Sequence, residues 1–277
     1  MVSSAPRAIL RLVLYLALTI PLMPVQAFLL VARSPLARRL PHAYHRLCCR
    51  IFGIDVEIVG ALSATRPTLF VANHVSYLDI EVLSATVETC FVAKREIAGW
   101  PFFGWLAKLQ QTVFVERRAA GVAGERDELA RRLDEGSNVV LFAEGTSNDG
   151  NRLQPFKSAL FSVAERTVHG GPLTVQPVTI AYTRLDGMPI GRAIRPFVAW
   201  YGDMDLVPHL WFLLGIGRLT AVLQFHETVT LAAGGKRKDL AMHCQAVIAE
   251  ALEAANFGRP LPAALAASSP PSPGHLP

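Results

Sequence analysis

Charge is scarce in this chain. Asp, Glu, Lys and Arg make up 18% of its 277 residues, whereas 51% are hydrophobic. Both values, with a mean hydropathy of +0.32, lean toward membrane contact. Cysteine is sparse as well. There are four (Cys48, Cys49, Cys90 and Cys244), no CxxC pair occurs, and two of them are adjacent. That spacing argues against a disulfide framework and against a metal site, and it fits a reducing compartment. The chain contains no GxSxG nucleophile elbow, which counts against a serine esterase. There is no internal repeat. Nor do aromatic residues interleave with the basic ones as a nucleic-acid surface requires, so nucleic acid is not an expected partner.

The N-terminal part is rich in apolar and basic residues. Residues 13–32 are almost wholly apolar, interrupted by Pro21, Pro24 and Gln26. A helix needs about 20 apolar residues to cross a bilayer. Arg33 and Pro35 follow directly and make a poor signal-cleavage site. A spanning helix or a proline-kinked helix lying in one leaflet therefore remains. Arg33, Arg38, Arg39, Arg46 and Arg50 carry part of the formal +5 charge. Near an anionic lipid surface each contributes about 1 kcal/mol of attraction. Arginines after the apolar segment place the rest of the chain on the cytoplasmic side.

Beyond this segment strands and helices alternate. Residues 54–59, 67–72, 90–93, 112–115, 138–143, 174–181 and 219–225 read as strands, rich in Val, Ile and Phe. Residues 80–87, 124–135 and 238–255 have helical character, with Gly136 as a stop. The expected fold is α/β: a mixed, mostly buried sheet flanked by helices, preceded by a membrane-anchoring helical segment. The expected organisation is residues 1–52 as membrane-associated helices, 53–257 as the main domain, and 258–277 as a disordered tail rich in Pro, Ala and Ser.

One pair of residues stands out chemically. His74 and Asp79 follow an apolar strand, five residues apart. Along a single helix they would face different directions, but a turn followed by a helix start brings them together. Neutral histidine is the natural base for taking a proton from an alcohol near pH 7. An aspartate on its far ring nitrogen fixes the tautomer and stabilises the imidazolium that forms. The pair alone is a weak signal, because a loop histidine and a helix-capping aspartate share this spacing.

The surrounding segment, Asn73-His74-Val75-Ser76-Tyr77-Leu78-Asp79, resembles the NHxSxxD block of the glycerolipid acyltransferase family, that of the 1-acylglycerol-3-phosphate acyltransferases. Three further blocks follow in that family's order: Phe114-Val115-Glu116-Arg117, Phe142-Ala143-Glu144-Gly145-Thr146-Ser147, and Val175-Gln176-Pro177-Val178. The resemblance implies a membrane-bound acyltransferase in which His74 is the base and Asp79 its orienting partner. It further implies that Arg117 binds the acceptor's polar head, that Glu144, Gly145 and Thr146 line the acceptor site, and that Asn73, Ser76 and Lys157 belong to the substrate site. The implied reaction moves an acyl group from acyl carrier protein or coenzyme A to a lysolipid hydroxyl, with no cofactor and no metal. The implied place is the cytoplasmic side of a bacterial inner membrane.

Two positions depart from the family pattern. Ala143 replaces a usual proline, and Ser147 replaces an arginine common among phosphate-acceptor members. The four blocks point to 1-acylglycerol-3-phosphate as the acceptor. The segment 200–211, rich in Trp and Asp, resembles bacterial members linked to lyso-ornithine lipid acylation, and this is the alternative acceptor. More distant readings are a lipid hydrolase and a non-catalytic membrane-binding protein. Residues 210–216 form either a second membrane-contacting helix or a core helix, and Pro177 suits a strand edge or a bulge.

Overall fold

The β-branched runs fold as strands with the expected limits at both ends of the domain. The computed structural model describes residues 3–115, 123–231 and 235–261. In chain order the main elements are α1 (Ala5–Val31), α2 (Leu36–Phe52), β1 (Ile54–Val59), β2 (Thr68–Ala72), α3 (Leu78–Thr86), β3 (Thr89–Lys94), α4 (Phe103–Leu109), β4 (Val113–Val115), α5 (Ala123–Asp134), β5 (Asn138–Phe142), β6 (Thr174–Leu185), α6 (Leu206–Gly215), β7 (Leu219–Phe225) and α7 (Arg237–Asn256). The fold is mixed α/β, with a central sheet flanked by helices. Most of the expected tail lies outside the described residues.

The main path of the sheet runs β1-β7-β6-β2-β5-β3-β4. Every neighbouring pair is parallel except β7 with β6, which is antiparallel. Two-residue strands at Met188–Pro189 and Val229–Thr230 also pair with β6. The central strands β2 and β5 are buried at every residue, as a sheet covered on both faces requires. One apolar cluster on one face joins Phe70, Val82, Leu83, Val140, Ile180 and Leu223, and a second on the other joins Leu69, Leu141, Leu133, Phe161 and Cys244.

Pro177 lies in an interior strand rather than at a sheet edge. It is opposite Val71 of β2, and the pairing of β6 with β7 ends one residue away, at Val178–Phe225. The Pro177 carbonyl accepts a bond from the His226 amide at 3.0 Å. The carbonyl and the nitrogen of one strand residue point to the same side. The missing N–H therefore faces the region where β7 has already ended, and the ladder to β2 stays intact.

Helix α1 is continuous through Pro21 and Pro24. It lies along the domain and is fastened at both ends. Near its start, Arg11 Nη1 donates to the carbonyls of Leu214 at 3.1 Å and Ile216 at 2.8 Å. Near its end, Gln26 Nε2 donates to the carbonyls of Ala37 at 2.8 Å and Leu109 at 3.1 Å. Ala8, Tyr15, Thr19 and Gln26 are buried on the face toward the protein. On the other side, Ile9, Leu10, Val13, Ile20, Phe28 and Val31 are exposed. In α6, His209, Leu213 and Leu214 are buried while Val207 and Trp211 are exposed, so this helix has one face in the core and one outside.

Candidate active site

His74 leaves the sheet at the end of β2, and the first hydrogen bonds explain why it does so there. The side chain of Asn73 imitates a peptide group. Its Nδ2 donates to the Ile180 carbonyl at 2.9 Å, and its Oδ1 accepts from the Ile180 amide at 2.8 Å. This adds one rung to the β2–β6 ladder while the main chain turns away. Asp79 then sits in the first turn of α3, and its Oδ2 accepts bonds from the amides of Val75 at 2.7 Å and Ser76 at 3.0 Å. The 73–79 loop thus closes on its own aspartate. A carboxylate suits this position, because the helix N-terminus offers unpaired donors and a positive dipole end.

That closure brings the pair together. His74 Nδ1 lies 2.8 Å from Asp79 Oδ2, and the Asp79 side chain is fully buried. With an ionised aspartate, Nδ1 carries the proton and Nε2 presents a lone pair. Nε2 has no hydrogen-bond partner among the described residues. The imidazole stacks on Phe142 with ring centres 4.0 Å apart and planes 15° apart, which fixes its tilt. Tyr182 donates its hydroxyl to Asp79 Oδ1 at 2.8 Å. This phenol is wholly buried, and its pKa is raised by burial and by the Asp79 charge, so it stays a donor. Tyr182 was not among the residues singled out in the sequence, and no local signal could have found it: it lies 103 positions from Asp79.

The third block folds beneath this loop. Glu144 Oε1 accepts from the His74 amide at 2.7 Å. Its Oε2 accepts from Asn148 Nδ2 at 2.6 Å and from the Gln154 amide at 2.7 Å. The Asn148 amide in turn donates to the His74 carbonyl at 3.1 Å. The Glu144 side chain therefore clamps the main chain of His74. Burial is the largest influence on its acidity and raises its pKa from 4.5 to about 7, against the pull of the three N–H donors. Gly145 has φ +68°, a left-handed conformation that favours glycine, and the exposed Lys157 side chain lies across it.

His74 opens onto a half-open cavity of about 230 Å³ between α1, α2, α3 and α4. Its wall is largely apolar, with Leu22, Met23, Ile80, Phe103 and Leu106 among the lining residues. Of the described site residues read from the sequence, only His74 lines it. Asn73, Ser76, Asp79 and Glu144 are buried behind the loop, and Thr146 and Lys157 are exposed outside the cavity. The Ser76 Oγ has no partner among the described residues. Arg117 lies outside the described residues. No group of three or more His, Cys, Asp or Glu side chains able to hold a metal occurs among the described residues.

A His–Asp pair with its acid buried and a free ring nitrogen facing an apolar cavity is equipped to take a proton from an alcohol there. Residues 53–181 match the Acyltransferase family model. The chain is 44% identical over 252 residues to the lyso-ornithine lipid O-acyltransferase of Brucella abortus, covering 90% of this chain and 94% of that protein. It is 34% identical over 176 residues to the 1-acyl-sn-glycerol-3-phosphate acyltransferase of Neisseria gonorrhoeae, covering 62% of this chain and 65% of that one. The crystal structure of the 1-acyl-sn-glycerophosphate acyltransferase of Thermotoga maritima shares the fold, with a TM-score of 0.61 at 21% identity over 89% of this chain and 96% of that chain. The chain belongs to the acyltransferase family, and it is an acyltransferase.

Proposed function

We propose that this protein moves a fatty acyl group from an acyl thioester to the free hydroxyl of a lysolipid, with lyso-ornithine lipid as the acceptor. The observation that carries the chemistry is His74, held by Asp79 through Nδ1 and open to the cavity through Nε2. Nε2 takes the hydroxyl proton while the oxygen attacks the thioester carbonyl. The carbon–sulfur bond then breaks, and the thiolate recovers the proton from His74. The donor is acyl carrier protein or coenzyme A, both acidic partners suited to a chain of formal charge +5.

The acceptor differs from the glycerol phosphate that the four blocks favoured. Two observations support the change. The Brucella abortus relative matches at higher identity and over more of its length than the Neisseria gonorrhoeae one. Ser147 also stands where phosphate-acceptor members often carry a forked cation. The test is an assay crossing acyl carrier protein and coenzyme A thioesters with both lysolipids. Lyso-ornithine lipid is expected to be consumed. Turnover of 1-acylglycerol-3-phosphate alone would reject this acceptor.

The membrane reading is an in-plane anchor. Helix α1 is about 40 Å long at 1.5 Å per residue, but its fastening to the domain at both ends keeps it parallel to the domain surface. Its exposed apolar side, with the exposed Arg33, Arg38, Arg39, Arg46 and Arg50 after it, suits the cytoplasmic leaflet of the inner membrane. Flotation with vesicles tests this. Binding is expected to fall when Val13 and Phe28 are replaced by Asp, and unchanged flotation would reject the anchor.

A further inference from the structure

The cavity wall contains a second histidine–carboxylate pair. Glu81 lies on α3, two residues beyond Asp79, and its Oε2 is 2.6 Å from His45 Nδ1 on α2. The other ring nitrogen of His45 lies 3.1 Å from Gln110 Oε1, and since both partners are acceptors the imidazole donates from both nitrogens and is held from both sides. The remaining Glu81 oxygen, Oε1, has no hydrogen-bond partner among the described residues. Glu81 lines the same cavity as His74, and its side chain is 15% exposed.

The charge pattern of this wall is selective. Among the described residues its ionisable members are His45, His74 and Glu81, together with the phenols of Tyr15, Tyr44 and Tyr77, and no described Lys or Arg lines it. A phosphate entering here would meet a carboxylate, and none of the described wall residues offers it a guanidinium or ammonium group. A primary ammonium would meet an open carboxylate oxygen in a largely apolar enclosure, where an unpaired charge is costly and a paired one is favoured. An ornithine headgroup carries such an ammonium, and a glycerol phosphate does not. Glu81 also lies in the first turn of α3.

We propose that Glu81, oriented by His45 and Gln110, is a specificity-determining residue that binds the primary ammonium of the acceptor headgroup. This rests on the lyso-ornithine reading above. In that arrangement the hydroxyl meets His74 Nε2 and the amine meets Glu81 Oε1, both on one cavity wall.

The experiment measures the full-length enzyme in membranes on two lysolipids. One carries ornithine, and the other carries norvaline, the same headgroup without its side-chain amine. The wild type is expected to favour the ornithine acceptor at least 10-fold in kcat/KM. In E81Q the KM for the ornithine acceptor is expected to rise about 10-fold with little change in kcat, while turnover of the norvaline acceptor stays as in the wild type. Equal loss on both acceptors would overturn the assignment, because it would show that the pair only ties α2 to α3. An unchanged KM would overturn it as well. If E81Q does not accumulate, the wild-type ratio decides, and a ratio near one overturns the proposal. Should the wild type acylate 1-acylglycerol-3-phosphate and neither amino-acid lipid, the acceptor reading itself fails.

Discussion

Two histidine–carboxylate pairs share helix α3, and they differ in what surrounds them. In the His74–Asp79 pair the acid is saturated: Oδ2 accepts from two amides and faces His74, and Oδ1 accepts from Tyr182. The base is left open at Nε2. In the His45–Glu81 pair the opposite holds. Both nitrogens of His45 are engaged, and the acid keeps a free oxygen. The same two functional groups are thus prepared for different tasks. Saturating the acid yields a fixed proton acceptor, and saturating the imidazole leaves a carboxylate oxygen as the open group. The distribution of the other hydrogen bonds, not the pair itself, sets the role.

The contrast can be broken first at the bases. His74→Ala and Asp79→Asn are each expected to lower kcat by roughly 10³-fold or more, whereas His45→Gln leaves kcat within about 2-fold, in membranes assayed side by side. Comparable losses at His74 and His45 would end the distinction. Next, Tyr182→Phe removes the donor to Asp79 Oδ1 without removing the ring. A hydrogen bond to a charged acceptor contributes about 1.5–3 kcal/mol. The expected result is a fall in kcat of roughly 10-fold with KM unchanged, and full activity would show that Asp79 does not need the phenol.

A third prediction concerns the clamp beneath His74. The Glu144 pKa is about 7 in the folded chain against an ordinary 4.5. Between those values the folded chain keeps a proton that the unfolded chain has released, so this residue's contribution to stability falls as pH rises through that window. The full contribution is about 3 kcal/mol. In thermal melts the margin of the wild type over Glu144→Gln is expected to narrow from pH 4.5 to 7, and a margin that widens would reverse the assignment. The smallest effect belongs to the outer pair. His45→Gln should cost about 1 kcal/mol of stability by loosening α2 from α3, read as a small drop in Tm.

These effects also show how far the sequence could be read. The strands at residues 54–59 and 219–225 were legible to the residue, because β-branched runs bounded by turn residues leave few alternatives. The loop that joins His74 to Asp79 was legible as well, since a turn and a helix start lie within seven residues. The contacts that qualify the site were not. Tyr182 reaches Asp79 only because β6 lies beside β2 in the sheet, a neighbour relation that no local pattern encodes. Glu144 looked like a substrate ligand by its block, yet its carboxylate turns toward the main chain of His74. Glu81 read as an ordinary helix residue, because the cavity it lines exists only once α1, α2 and α4 have packed over α3.

The fastening of α1 also carries a consequence in time. Ser3, Arg7 and Arg11 hold partners 203 to 209 positions further along the chain. At 5–20 residues per second, those partners leave the ribosome roughly 10–40 s after the helix itself. For that interval the start of the most apolar segment lacks those partners, and the segment has only α2 and α4 to dock on. A lipid surface close to the site of synthesis is the natural place for it to wait, and the cavity gains Trp200 and Leu206 only when the last third of the chain arrives.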